Sequence, residues 1–169
     1  MQFTVKNTKI KGVKIINYDK FTDERGTIWT TYNENKFKKL KIERFTHDKF
    51  STSKKDVIRG IHYDKKTTKL VTIAHGEIDQ VVVDMRKESS TYKNFLKFRI
   101  NEKNKFSLLI PPMVGNGFRV ISDIAVYHYK LSYKGQYMDF DKQFTVKWDD
   151  PTLNIPWDIE NPILSKRDK

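Results

Sequence analysis

Five consecutive residues, Arg59-Gly60-Ile61-His62-Tyr63, carry side chains that proton-transfer chemistry requires. The imidazole of His62 titrates near neutral pH, so it suits a base that takes a proton from carbon. Arg59 adds a fixed positive charge and Tyr63 a phenol. In a regular β-strand, strict alternation sets Arg59 and His62 on opposite faces. Both side chains therefore reach one pocket only if the strand bends or bulges, and Gly60 is where we expect this to happen.

Length and composition predict a single domain that spans residues 1–169, because no linker-like segment divides the chain. The chain has no cysteine, which excludes disulfides and thiolate metal sites. Lysine and arginine (33) exceed aspartate and glutamate (21) by 33 − 21 = 12, which favours an anionic partner such as a phosphorylated small molecule. This charge is spread out and no RNA-binding aromatic signature accompanies it, so we expect no nucleic-acid partner. No apolar run suits a signal peptide or a membrane span, so we expect a cytoplasmic protein with no membrane partner.

Short alternating runs bounded by turn residues predict an all-β sandwich or barrel with few short helices. Asn33 to Lys39 is predicted as one short helix, and Ile42 to Phe50 as a strand. The polar segment Ser51 to Asp56 is predicted as a loop. Lys69 to Ala74 and Ile78 to Met85 are predicted as a hairpin of central strands. The tail from Trp148, with Pro151, Pro156 and Pro162, is predicted to wrap the domain as irregular structure.

A tyrosine-rich face distinguishes the predicted strand from Ala125 to Tyr133. Period-two alternation puts Tyr127, Tyr129 and Tyr133 on the same side. If that side lines a barrel interior, the hydroxyl groups need polar partners, which a ligand can supply. The alternative is that these rings pack as core aromatics with their tips at the barrel mouth.

A set of short motifs covers nearly the whole chain. They are Phe21-x-Asp23-x-Arg25-Gly26, Ser51-x-Ser53, Val57 to Tyr63, Lys69-Leu70-Val71, Val83 to Arg86, Ser90-Thr91, Ile110-Pro111-Pro112, Gly117-Phe118, Tyr129-Lys130, Trp148-x-Asp150-Pro151 and Leu164 to Asp168. In this order they resemble the dTDP-4-dehydrorhamnose 3,5-epimerases. The resemblance implies a cupin-type jelly-roll barrel, a homodimer, no cofactor, and a nucleotide-diphospho-4-keto sugar as substrate, GDP- or dTDP-linked. It also implies a place in making a deoxy or heptose sugar for a surface polysaccharide such as capsule or lipopolysaccharide.

The resemblance assigns roles that fit the chemistry of a 4-keto sugar. The ketone acidifies the hydrogens at C3 and C5, so epimerisation needs a base, support for the enolate, and an acid on the opposite face. His62 matches the base, and Asp168 the carboxylate that orients it. Tyr129 matches the acid. Lys69 matches the lysine near the C4 oxygen, and Arg59 a cation near the enolate or diphosphate.

Four positions depart from the family pattern, and they concern proton transfer and the nucleotide. The family usually has a second histidine where this chain has Asn116, which cannot carry a proton through neutral pH. The enzyme therefore either acts at one carbon only or relies on Tyr129 for both. Thr30, His47 and Lys49 stand where the family has a glutamate and two amides that contact the nucleotide. This predicts a carrier other than thymidine diphosphate, with guanosine diphosphate the candidate.

Two further residues are predicted to contact the substrate. Arg25 is expected to reach phosphate, from an N-terminal element that in the family belongs to the partner subunit. Tyr133 is expected to support Tyr129, because the two share a strand face.

Metal binding is not expected, and two other functions stay open. Metal-binding cupins typically offer two or three histidines and a glutamate, whereas here His62 is followed by Tyr63 and Asp64. A 3,4-ketoisomerase on the same scaffold would form the same enolate but reprotonate a different atom. A binding module for nucleic acid or another polyanion would keep the fold without the reaction.

Overall fold

The computed structural model describes residues 3–39, 42, 44–139 and 141–169, and within them it contains thirteen β-strands and one short helix. The elements are β1 (Phe3–Asn7), β2 (Lys14–Tyr18), β3 (Lys20–Asp23), β4 (Gly26–Trp29), α1 (Glu34–Lys38), β5 (His47–Lys54), β6 (Ile58–Tyr63), β7 (Thr68–His75), β8 (Glu77–Asp84), β9 (Phe95–Asn101), β10 (Ser107–Ile110), β11 (Val114–Val120), β12 (Ile124–Ser132) and β13 (Phe144–Thr145). The helix was predicted, and Asn33 caps it by accepting a hydrogen bond from the Lys36 backbone N–H at 3.2 Å.

Two antiparallel sheets make up the body of the protein. One has six strands in the order β1-β2-β10-β7-β12-β5, and the other has five in the order β13-β6-β11-β8-β9. Strands β3 and β4 form a separate two-stranded hairpin. Strand order that alternates between facing sheets is typical of the jelly roll, so the predicted cupin-type all-β fold is confirmed.

The predicted hairpin of β7 and β8 is wrong, because the two strands lie in different sheets. Gly76 between them has φ +86°, a conformation that favours glycine. A Cβ at this position would lie 2.3 Å from the Ile124 carbonyl oxygen and 2.5 Å from the Ser122 hydroxyl oxygen. Gly76 is therefore a tightly packed corner between sheets, and a local turn signal does not distinguish such a corner from a hairpin.

The predicted loop at Ser51 to Asp56 is also largely wrong. Strand β5 runs through residues 47–54 and pairs with β12 along its whole length. The ladder with β12 satisfies the backbone of this polar segment, so its short hydroxyl side chains do not prevent strand formation. The strand begins at His47, later than the predicted Ile42, and Glu43 within that prediction lies outside the described residues.

Strand β8 is buried on both faces, which explains its three consecutive valines at 81–83. Ile78 and Val82 join the core between the two sheets. Val81 packs on the other side with Leu153 and Trp157 of the C-terminal tail. The tail is irregular and covers the outer face of the five-stranded sheet, as predicted.

The end of the tail is attached beside β6. Ile163 forms a parallel bridge with Val57, and its carbonyl oxygen accepts a hydrogen bond from the Ile58 N–H at 3.1 Å. The Ile163 N–H donates to the Asp56 carbonyl oxygen at 2.9 Å. These bonds bring the last residues of the chain alongside the strand that carries His62.

Candidate active site

A bulge in β6 turns Arg59 and His62 toward the same side. His62 is opposite Asn116 of β11 and Arg59 is opposite Phe118, so β6 has one residue more than β11 between these pairs. Gly60, in the bulge, has φ +114°, and a Cβ there would lie 2.5 Å from the Asn116 carbonyl oxygen. The expected departure from alternation at Gly60 is thus present.

A cavity of about 570 Å³ lies between the two sheets, within the usual range for ligand sites. The five-stranded sheet contributes one set of predicted site residues to its lining: Arg59, His62 and Asn116. The six-stranded sheet contributes another: Lys49, Lys69 and Tyr129. The C-terminal tail adds Asp168. The imidazole of His62 and the phenol of Tyr129 therefore come from opposed sheets.

His62 and Asp168 form a direct pair. The His62 Nε2 lies 2.5 Å from the Asp168 Oδ1, and the Ser165 hydroxyl donates to the Asp168 Oδ2 at 2.9 Å. The Asp168 carboxylate is 3% exposed. Its burial alone would raise its pKa, but the bonds from His62 and Ser165 and the charge of Arg167 outweigh this and lower it. A carboxylate bound to Nε2 leaves Nδ1 as the ring nitrogen that can accept a proton.

Lys69 is a buried amine next to the histidine. Its Nζ donates to the His62 backbone carbonyl oxygen at 3.0 Å, and the residue is 7% exposed. Burial lowers the pKa of Lys69 to about 8, with Asp64 opposing this shift and Arg167 adding to it. Its ammonium group keeps two more N–H donors for an oxygen atom in the cavity.

Positive charge dominates the cavity wall. Arg59 is held by a hydrogen bond from its Nε to the Ser53 hydroxyl at 2.8 Å, and the Lys49 Nζ lies 5.0 Å from the centre of the Tyr137 ring. Lys166 and Arg167 line the same cavity. Such a set of cations suits a diphosphate group.

The tyrosines of β12 occupy three different environments along one face. Tyr127 is 0% exposed and stacks on Phe118 with ring centres 4.3 Å apart. Tyr129 lines the cavity, edge-on to Tyr127. Beyond the strand, the Tyr133 hydroxyl is 3.4 Å from the His47 Nδ1. The three tyrosines therefore lie in turn in the core, at the cavity, and in a ring cluster with His47 and Tyr137.

Four predicted substrate contacts lie away from the cavity lining of this chain: Arg25, Thr30, His47 and Tyr133. Arg25 forms an ion pair with Asp23 at 2.6 Å at the tip of the β3–β4 hairpin, with its side chain 88% exposed. Thr30 lines a separate hollow with Tyr32. The hairpin belongs to neither large sheet, so within one chain Arg25 is not positioned with the cavity residues. The rings of His47 and Tyr133 instead lie 4.8 Å and 5.2 Å from the ring of Tyr137, which lines the cavity.

Neither a metal centre nor a membrane span stands out in the described part of the chain. Over those residues, no three His, Cys, Asp or Glu side chains are grouped as metal ligands. No helix among them is long and apolar enough to cross a membrane.

One protein-family profile matches nearly the whole chain. The sequence profile of dTDP-4-dehydrorhamnose 3,5-epimerase matches residues 7–169. The chain belongs to this family. Its members are isomerases, so the chain is assigned to that enzyme class.

Individual members of the family are similar over nearly their full length. The dTDP-4-dehydrorhamnose 3,5-epimerase of Methanothermobacter thermautotrophicus is 34% identical over 174 residues, covering 99% of this chain and 92% of the relative. That of Shigella flexneri is 35% identical over 167 residues, covering 95% and 90%. The crystal structure of the Legionella pneumophila epimerase in complex with dTDP-4-keto-L-rhamnose superposes with a TM-score of 0.91 at 32% identity, covering 99% of this chain and 90% of that one.

Sequence reasoning missed several residues that line or support the epimerase cavity. Tyr137 and Gln143 lie in irregular segments, where periodicity gives no signal. Ser165 and Arg167 belong to the C-terminal motif, but no role was assigned to them. Gln80 directly precedes the three valines at 81–83 of β8, and a polar side chain beside this apolar run was the signal that could have identified it.

Proposed function

We propose that this chain epimerises a nucleotide-diphospho-4-keto sugar at C3, at C5 or at both, within surface polysaccharide sugar biosynthesis. The observation that carries the proposal is that His62 and Tyr129 line one cavity from opposed sheets. A planar enolate bound between them would present one face to a base and the other to an acid, which inversion at carbon requires.

The proposed reaction begins with His62 taking the proton from a carbon next to the C4 ketone. Asp168 holds the imidazole and stabilises the positive charge that it gains. The electron pair of the broken C–H bond moves to the C4 oxygen, and Lys69 stabilises the resulting oxyanion. Tyr129 then delivers a proton to the same carbon from the opposite face, which restores the ketone with inverted configuration.

The positive charge of the cavity wall supports binding of the diphosphate, with Arg59, Lys49 and Arg167 as the proposed contacts. We propose dTDP as the carrier, because the relatives named above act on dTDP-linked sugars. Guanosine diphosphate is the alternative carrier. It is favoured by Lys49, which stands where the family has an amide side chain. Calorimetric titration with dTDP and GDP separates them, since the correct carrier binds more tightly.

A homodimer is also proposed, in which the β3–β4 hairpin of one subunit extends to the other. Phe21 and Ile28 face each other across this hairpin and are 57% and 60% exposed. An exposed apolar pair on an isolated hairpin favours a covered position in an assembly. Contact with the partner subunit would let Arg25 and Thr30 reach its substrate. Sedimentation of the wild type and of Phe21→Ser, which should weaken the dimer, tests this.

The experiment that tests the function is NMR product analysis in deuterated water with dTDP-4-keto-6-deoxy-D-glucose. We expect deuterium at C3, at C5 or at both, inverted configuration there, and a ketone that stays at C4. A ketone moved to C3 would instead indicate the 3,4-ketoisomerase. Absence of any solvent exchange with dTDP- and GDP-linked 4-keto sugars would contradict the proposal and leave the polyanion-binding module.

A further inference from the structure

A neutral hydrogen-bond network lies behind the wall of the cavity. Gln80 and Tyr127 are both 0% exposed, and Asn116 lies between them and the cavity. The Gln80 Nε2 donates to the Asn116 Oδ1 at 2.8 Å, and the Tyr127 hydroxyl donates to the Gln80 Oε1 at 2.6 Å. The same hydroxyl is 3.2 Å from the Asn116 Oδ1. Such polar groups in a core persist because they satisfy one another.

The backbone fixes the orientation of both amides in this network. The Gln80 Nε2 also lies 3.0 Å from the Val81 carbonyl oxygen and 2.9 Å from the Gly117 carbonyl oxygen. The two hydrogens of this NH₂ group are shared among three acceptors, the two carbonyl oxygens and the Asn116 Oδ1, and a Gln80 oxygen placed here would face only other oxygens, so the Gln80 side chain cannot be turned around. The atom of Asn116 next to this NH₂ must then be its oxygen. The Asn116 Nδ2 is consequently left as the donor that is free to bind a group in the cavity.

The position of Asn116 places this donor next to the proposed base. Asn116 is opposite His62 in the β6–β11 ladder. Burial raises the pKa of the Tyr127 phenol well above its usual value, and the bonds to Asn116 and Gln80 oppose this only in part. The network therefore stays uncharged across the working range of pH. The Asn116 amide that it holds can donate a hydrogen bond but cannot transfer a proton.

We propose that Gln80 and Tyr127 are positioning residues that hold Asn116 with its amide nitrogen toward the cavity, where it donates a hydrogen bond to the C4 oxygen of the keto sugar. This inference rests on the proposed function. The bond strengthens as negative charge develops on that oxygen, so it stabilises the enolate more than the ketone. Asn116 and Lys69 would then be two donors to one oxyanion, one neutral and one charged.

The variant Gln80→Glu tests the orientation directly. A carboxylate cannot donate to the Asn116 Oδ1, so Asn116 is expected to turn over and present its oxygen to the cavity. We expect kcat to fall about 100-fold near pH 8, as for loss of one oxyanion donor, while KM changes less than about threefold. The ratio of variant to wild-type kcat should rise as the pH falls, because the protonated carboxyl group can donate again.

Two further variants distinguish positioning from a merely structural role. Tyr127→Phe leaves the Gln80 bond to Asn116 in place, so we expect a smaller loss, under about tenfold, with no change in pH dependence. Thr72→Val removes a partly buried bond of 2.7 Å from a side chain of β7 to the Phe106 carbonyl oxygen just before β10, and this bond involves no residue of the network. It should lower the melting temperature and leave kcat unchanged. A Gln80→Glu enzyme whose kcat stays within threefold of wild type, or whose deficit does not vary with pH, would overturn the proposal.

Side-chain amide NMR separates failure of this inference from failure of the proposed function. The Asn116 amide protons, assigned by their loss in Asn116→Asp, should shift when dTDP-4-keto-6-deoxy-D-glucose is added to the wild-type protein. In Gln80→Glu the shift should vanish at neutral pH. The readout requires binding but no turnover. If the Asn116 amide protons do not shift when the sugar binds, the inference is overturned even if the enzyme is active. If they shift in an inactive enzyme, only the proposed reaction is contradicted.

Discussion

The Nε2 of His62 lies 2.5 Å from the Oδ1 of Asp168, although 106 positions separate the two residues in the chain. The bridge between Ile163 and Val57 makes this contact possible, because it fixes the tail beside the strand of the histidine. A residue close to the C-terminus is thereby buried and given a defined partner.

The first prediction concerns this pair. Asp168→Asn keeps the size of the side chain but removes the negative charge that stabilises the protonated imidazole. We expect kcat/KM for epimerisation to fall by about 100-fold or more. Steady-state kinetics measure it. Ser165→Ala is the matched control, since it removes only the second bond to Asp168, and a loss as large as that of Asp168→Asn would contradict the assignment.

The second prediction follows from the pKa of Lys69, which burial lowers to about 8. If the ammonium stabilises the enolate, activity should fall as the pH rises through this value and the amine loses its proton. Lys69→Arg stays charged, so its remaining activity should lack that alkaline limb. The measurement is the pH profile of kcat/KM for both proteins. An alkaline limb near pH 8 that persists in Lys69→Arg would assign it to another group.

The third prediction concerns the bulge at Gly60. A Cβ there would meet the Asn116 carbonyl oxygen at 2.5 Å and the Gly117 Cα at 2.6 Å, so Gly60→Ala should displace β6 from β11. We expect a loss of at least about 3 kcal/mol of unfolding free energy, and loss of activity in the folded fraction. Gly26→Ala is the matched control, because Gly26 also has positive φ but no atom within 4 Å of its Cβ. Equal costs at the two glycines, measured by urea unfolding, would show that close packing at the bulge is unimportant.

The fourth prediction concerns stability away from the site. Asp84 accepts bonds from Arg86 at 2.7 Å, Ser89 at 2.6 Å and Thr91 at 2.7 Å. Burial opposes ionisation, but these bonds outweigh it and hold the pKa of Asp84 well below its usual range. A native pKa below the unfolded one adds stability above the unfolded pKa, and this stability is lost as the pH falls through the native one.

The variant Asp84→Asn should therefore be less stable by about 3 kcal/mol near neutral pH. The difference from wild type should shrink below about pH 4, where the carboxyl group of the unfolded chain is protonated. Urea unfolding at several pH values measures both effects. The exposed Glu88→Gln serves as control, with an expected change within about 0.5 kcal/mol. A deficit in Asp84→Asn that is constant with pH would contradict the account.

Local signals in the sequence were sufficient for some elements and misleading for others. Alternation and turn residues predicted the β class and most strands, and Gly60 was recognised as the place where alternation fails. The β7–β8 hairpin was wrong because the signal at Gly76 describes a turn and not the sheet that follows it. The prediction ended strand β5 too early, because its serines are typical of a loop. Only the pairing with β12 shows that they belong to a strand.

The candidate site could be identified only from the family resemblance together with the three-dimensional structure. Motif order linked His62 to Asp168, which no local pattern relates. The Gln80–Tyr127–Asn116 network could not be predicted, because it depends on which side chains meet across two facing sheets. The location of Arg25 apart from the cavity also follows only from the separate β3–β4 hairpin.

Deuterium wash-in with wild type, His62→Ala and Tyr129→Phe tests the opposed base and acid most directly. In dTDP-4-keto-6-deoxy-D-glucose, the histidine variant should exchange no hydrogen at C3 or C5. The tyrosine variant should retain part of the exchange but lose inversion, since its enolate forms and is reprotonated from the histidine side. Tyr133→Phe is the matched control and should invert normally. Exchange that survives in His62→Ala, or normal inversion in Tyr129→Phe, would contradict the assignment of base and acid to opposed sheets.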